Sequence, residues 1–131
     1  MQTIQVKTGS RIQFIDITSR VKEAIAQSGV RDGIGIVYVS HTTAGVTINE
    51  AADPSVVMDI TFKLSQLIPH QDAYRHSEGN SDAHIKASLM GSSVHLIISG
   101  GSPVLGTWQG IFFCEFDGPR QRKVLIKVIE G

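Results

Sequence analysis

The chain has 131 residues, with 12 Lys plus Arg balanced by 12 Asp plus Glu, so its formal net charge is zero. Hydrophobic residues make up 41% and charged residues 18%, a composition that folds rather than one that stays disordered. The charge balance excludes a broad nucleic-acid footprint, which needs surplus Lys and Arg to neutralise phosphates, and no apolar run approaches the roughly 20 residues that cross a bilayer.

The length is that of one domain spanning 1–131. Met1–Lys7 alternates polar and apolar residues without a continuous apolar stretch, so no signal peptide is expected and the cytoplasm is the expected location. The single cysteine, Cys114, cannot form an intrachain disulfide. Beside Phe112 and Phe113 it reads as a small buried hydrophobe.

In chain order, Ile4 and Val6, then Ile12, Phe14 and Ile17, predict two strands around a turn at Gly9-Ser10. Thr18 or Ser19 can cap a helix to Ser28 that buries Val21, Ala24 and Ile25, and Gly29 ends it. Gly33–Ser40 is β-branched and apolar, the pattern of a buried strand, and Val46–Asn49 is a short second one. Asp53-Pro54 is an N-cap with proline in the first turn; the helix it starts runs to Ile68 with Val57, Ile60, Leu64 and Leu67 inward. Gln71–Ser81 is polar and loop-like. Ser81 or Asp82 can cap a short helix through Leu89, closed by Gly91. Val94–Ser99, Thr107–Asp117 and Lys123–Ile129 are strands, the last two expected to form an antiparallel hairpin across Gly118-Pro119. The expected class is α+β: a mostly antiparallel or mixed sheet with three helices on one side.

Three segments carry polar chemistry. Ser40–Glu50 follows a strongly apolar strand, a position where sheets often keep their sites. Its His41 can be a general base or metal ligand, while Thr42, Thr43 and Gly45 suit an anionic group. His76–His84 holds two histidines and two carboxylates, Glu78 and Asp82, within nine residues. Imidazoles and carboxylates are the ligand set of zinc or similar ions, but the spacing is not that of a zinc finger, so a metal needs His41 as a third ligand. The bland alternative is a polar loop in which Asp82 only caps a helix. The third segment, Thr107–Arg120, has Trp108, which either packs in the core or stacks on a flat ring. Alternation puts Glu115 and Asp117 on one face with Phe113, where they need partners; Arg120 and Arg122 can pair with them or grip a phosphate. No phosphate-binding glycine loop, dinucleotide fingerprint or G-x-S-x-G elbow is present.

Ser-His-Thr-Thr-Ala-Gly-Val-Thr-Ile-Asn-Glu (Ser40–Glu50), His76–Lys86 with Leu89-Met90-Gly91 after it, and Leu105–Arg120 together resemble the YjbQ-like family, the secondary thiamine-phosphate synthase enzyme family. The resemblance covers essentially the whole chain. It implies a single YjbQ-like α+β domain, a homotrimer with sites near subunit boundaries, and a secondary activity. That activity joins a pyrimidine methyl diphosphate to a thiazole phosphate, releasing pyrophosphate. Such a site neutralises a departing diphosphate, orients two rings and excludes water.

The catalytic candidates are His41, His76, His84, Glu50 and Asp82, with His41, His76 and His84 also the candidate ligands of a divalent metal, zinc or magnesium. The candidates for holding a phosphorylated small molecule are Thr42, Thr43, Asn49, Asn80, Thr107, Trp108, Gln109 and Arg120. Two other functions fit the same residue types: a metal-dependent hydrolase of a phosphorylated small molecule, and a non-catalytic trimer that binds an anion or metal. Neither a nucleic acid nor a membrane is an expected partner.

Overall fold

Runs of alternating burial become strands, and the runs with helical spacing become helices. In the computed structural model, which describes all 131 residues, the elements follow in this order: β1 (Gln2–Lys7), β2 (Gln13–Asp16), α1 (Thr18–Ser28), β3 (Gly33–Tyr38), β4 (Ala44–Glu50), α2 (Pro54–Leu67), α3 (Ser81–Met90), β5 (Ser93–Ser99), β6 (Ser102–Pro103), β7 (Gln109–Glu115) and β8 (Gln121–Glu130). The fold is α+β.

The strands form two antiparallel sheets, a five-stranded one ordered β1-β8-β3-β5-β6 and a three-stranded one ordered β2-β7-β4. The hairpin expected between the last two strands is therefore not formed. β7 pairs with β2 and β4, whereas β8 pairs with β1 and β3. The two strands expected around Gly9-Ser10 are present as β1 and β2, and they lie in different sheets. Burial gives the reason. β7 is buried on both faces from Gly110 to Glu115, so it needs covering layers on both sides, while β8 alternates buried and exposed residues.

The β1–β2 and β7–β8 connections cross between the sheets together. Thr8 N–H donates to Arg120 O at 2.9 Å and Gly118 N–H to Arg11 O at 3.0 Å. A Cβ on Gly118 would lie 2.3 Å from Ser10 O, so only glycine lets the two crossings pack.

The main core lies between the sheets. Ile4, Val6, Val37, Leu96, Ile98, Val124 and Ile126 meet Ala44, Val46, Ile111 and Phe113, and α1 adds Val21, Ala24 and Ile25. On the other side of the three-stranded sheet, Phe112, Cys114 and Phe116 are covered by Ala83 and Ala87 of α3 and by Val57 and Leu64 of α2. Only α2 and α3 thus share a side. Cys114 is fully buried, and burial pushes its thiol pKa up, as fits an inert packing residue.

Two helix expectations are corrected. Leu67 does not face inward: it is 66% exposed, and α2 buries none of its residues fully. The helix rests on its sheet through few contacts, and Met58 and Phe62 point outward. Asp53 does cap it, with Oδ1 accepting from Ser55 N–H at 2.9 Å. In α3 the capping position belongs to Asn80, not Ser81 or Asp82, because Asp82 turns inward to an ion pair.

Candidate functional site

The first two polar segments meet because α3 docks on the start of β4. Gly45 makes the approach possible: a Cβ there would lie 2.6 Å from Gly91 O, the oxygen that accepts Val46 N–H at 3.1 Å. The result is an open pocket of about 530 Å³, lined by His41, Thr42, Ala44, His84, Ala87, Ser88, Gly91 and Ser92. Only the two alanines are hydrophobic. The volume suits a small molecule, and the lining suits a polar one.

His41 lies in the loop after β3, where the chain leaves the five-stranded sheet. Tyr38, at the end of β3, pairs with Leu125 of β8. Two residues further along β8, the main-chain N–H of Lys123 donates to His41 Nε2 at 3.1 Å. The imidazole thus continues the ladder where the β3 backbone has ended. Burial, and then the Arg122 guanidinium, hold the His41 pKa below the usual histidine value; Lys123 adds to this and Glu115 opposes it.

His84, on α3, packs edge-on to His76 with ring centroids 5.4 Å apart, and His76 Nε2 is 3.6 Å from Glu78 Oε2. His84 shares the pocket with His41, but no three His, Cys, Asp or Glu side chains in one chain converge closely enough to hold a metal ion. A resident zinc, which takes at least three protein ligands, does not fit the donors that a single chain gathers.

Beneath the pocket loop runs a buried ion pair. Arg122 donates to Glu115 through Nε at 2.8 Å and Nη2 at 2.5 Å, and Nη2 also donates to Thr43 Oγ1 at 2.8 Å. Thr8 Oγ1–H donates to Glu115 Oε1 at 2.8 Å. Burial alone would raise the Glu115 pKa; the bonds from Arg122 and Thr8 outweigh it and keep the carboxyl below its usual range. Glu115 therefore faces an arginine and not the pocket, and Thr43 is a buried brace for the loop.

Asp82 has a similar internal setting. Its side chain is fully buried and accepts from Arg11 at 2.9 and 2.7 Å and from Lys86 Nζ at 2.9 Å. Burial pushes its pKa up, and the two cations more than reverse this. Asn80 Nδ2 donates to Asp117 Oδ2 at 2.8 Å, and Arg120 Nη2 pairs with the same oxygen at 3.0 Å. None of these residues lines the pocket.

The remaining candidates lie elsewhere. β4 and β7 pair in a register that puts Ala44 opposite Glu115 and Glu50 opposite Gln109. Six strand steps at about 3.4 Å each separate Asn49, Glu50, Thr107, Trp108 and Gln109 from the His41 end by roughly 20 Å. There Glu50 Oε2 accepts Asp53 N–H at 3.3 Å, Gln109 Oε1 accepts Gly106 N–H at 2.8 Å, and Trp108 is 63% exposed. One chain thus holds two polar groups at opposite ends of one strand pair.

Sequence reasoning missed Ser88, Ser92, Thr8, Arg11 and Lys86. Ser88 had a signal, one helical turn after His84. Lys86 had one too, one turn after Asp82, and Ser92 follows the Gly91 that closes α3; Thr8 and Arg11 arrive across the fold, and no local pattern announces them.

A family model described as "UPF0047 protein YjbQ-like" matches residues 2–131. A UPF0047 protein of Methanocaldococcus jannaschii is 58% identical, over 95% of this chain and 91% of its own. The UPF0047 protein YugU of Bacillus subtilis is 46% identical over 98% of each. The crystal structure of an uncharacterised conserved YjbQ/UPF0047 protein from Clostridium acetobutylicum superposes with a TM-score of 0.97 at 56% identity, covering 98% of this chain and all of that one. A protein of unknown function from Sulfolobus solfataricus superposes at 0.95 with 30% identity, covering 99% and 96%. By its full-length match and these relatives, the chain belongs to the YjbQ-like UPF0047 family.

Proposed function

We propose that the chain is an enzyme acting on a phosphorylated small molecule in the His41–His84 pocket, with thiamine-phosphate synthase-type transfer as the reaction. The observation that carries this reading is the convergence of two histidines with Thr42, Ser88 and Ser92 in one polar cavity of small-molecule size. In that reaction the thiazole nitrogen lone pair forms a bond to the exocyclic methylene carbon. The C–O bond to the diphosphate breaks, and its electrons leave with pyrophosphate. The pocket hydroxyls and imidazoles donate hydrogen bonds to the phosphoryl oxygens, where the negative charge accumulates.

We assign any divalent ion to the diphosphate rather than to a resident protein cage, since magnesium is commonly held by substrate phosphates and few protein groups. A metal-dependent hydrolase is the weaker second reading, because it needs a metal-activated water and one chain does not gather the ligands for it.

We further propose that Asn49, Glu50 and Thr107–Gln109 reach the pocket of a neighbouring subunit in a homotrimer. Exposed apolar residues, including Met58, Phe62, Ile34 and Ile97, support association between copies.

The test incubates purified protein with the pyrimidine methyl diphosphate and the thiazole phosphate, with and without magnesium, and follows pyrophosphate and thiamine phosphate together. His41→Ala and His84→Ala are expected to lower turnover at least tenfold with the fold intact. Equal turnover by both variants removes the pocket from the chemistry. Release of phosphate without coupling favours the hydrolase.

A further inference from the structure

The bond between Lys123 and His41 fixes more than the position of a ring. A ring nitrogen that accepts a main-chain N–H carries no proton, so a neutral imidazole held this way has its proton on Nδ1. We infer that His41 is a neutral Nδ1–H hydrogen-bond donor to a phosphoryl oxygen, its tautomer set by the main chain of β8, and is neither a base nor a metal ligand through Nε2. The identity of the ligand rests on the phosphorylated-substrate reading; the tautomer does not.

Three observations point the same way. Nε2 lies 3.1 Å from Lys123 N, so using that nitrogen to take a proton or bind an ion costs the N–H its partner. The polar side chains that line the pocket with His41 are hydroxyls and another imidazole, and no carboxylate lines it. The charged groups acting on the ring are Arg122, Lys123 and Glu115, two cations against one anion, and Glu115 is itself bound to Arg122. A neutral donor in a field of net positive sign suits an anion and repels a cation.

Two substitutions separate the ring's nitrogens. His41→Gln can keep an acceptor near Nε2 and so retain the cap on Lys123, but it has no donor at the Nδ1 position. His41→Asn keeps a donor near Nδ1 and gives up the cap.

The experiment uses the full chain in the presence of EDTA. The imidazole tautomer is read by long-range 15N–1H NMR at pH 7.5, and inorganic pyrophosphate is then titrated into wild type, His41→Gln and His41→Asn. The expected result is an unprotonated Nε2, a protonated Nδ1 whose signal moves on titration, and at least roughly tenfold weaker pyrophosphate binding in His41→Gln than in His41→Asn. An Nε2–H tautomer overturns the inference and leaves the substrate reading standing. Equal binding by wild type and His41→Gln does the same. No pyrophosphate binding by wild type overturns both. Unfolding of His41→Asn, seen by circular dichroism, shifts the comparison to wild type against His41→Gln, which decides the donor role alone.

Discussion

Replacing Arg122 with methionine removes the only cation paired with Glu115 while keeping most of the side-chain volume. The two side chains are 5% and 0% exposed, so the carboxylate left behind has no route to water. Its remaining bonds come from Thr8 Oγ1 and from the N–H groups of Phe116 and Asp117. Breaking one side of such a buried pair costs about 3–5 kcal/mol, a large part of the roughly 5–15 kcal/mol that holds a domain together. For a chain of this size that is a fall in Tm of about 10–20 °C.

The pH dependence provides the sharper check. In the wild type the Glu115 pKa is lowered, so its stabilising contribution is complete above the ordinary carboxylate value near about 4.3 and is lost as pH falls through the folded value. In Arg122→Met, burial is less opposed and the folded pKa rises. The folded state then takes up a proton, and the deficit against wild type shrinks as pH falls from 7.5 to 5. Urea denaturation of both proteins at the two pH values measures this. A deficit below 1 kcal/mol, or one of the same size at both pH values, refutes the assignment of Glu115–Arg122 as an uncompensated buried pair. Arg122→Met with Glu115→Leu, which removes both charges, is expected to recover most of the loss.

Gly45→Ala puts a methyl 2.6 Å from Gly91 O and should cost about 1–3 kcal/mol, with faster hydrogen exchange at Val46 N–H as α3 lifts from β4. Unchanged exchange there would mean that α3 does not depend on this approach. Asp82→Asn leaves Arg11 and the 1%-exposed Lys86 without their anion; chemical denaturation should show a loss of about 3–5 kcal/mol, and a loss under 1 kcal/mol would show that the two cations do not depend on this carboxylate. Trp108→Ala should change the stability of one chain by no more than about 0.5 kcal/mol, since the ring is largely exposed. If turnover nonetheless falls, the far end of β4–β7 takes part in a site that one chain does not complete.

The residues themselves were enough for the α+β class, for most element positions and for the family. Asp53-Pro54 announces a helix start because capping and proline geometry are local. The burial of Val21, Ala24 and Ile25, and of Cys114, follows from apolar spacing in the same local way. The joining of His41 to His84 was legible only as two polar segments of unusual density; Gly45 and Gly91, both visible in the sequence, carry the contact that unites them.

Strand pairing was decided by the tertiary structure alone. The turn at Gly118-Pro119 has the local signature of a hairpin, yet β7 needs cover on both faces and β8 on one, so the chain changes sheets there. That choice aligns Ala44 with Glu115 and Glu50 with Gln109, and so divides residues adjacent in sequence between two ends of a strand pair. It also turns Asp82 and Glu115 inward onto Arg11, Lys86 and Arg122. Lys86, one helical turn from Asp82, and Arg122, just past the turn after Glu115, are partners that local spacing offers; Arg11, 71 residues from Asp82, becomes one only once the chain has packed.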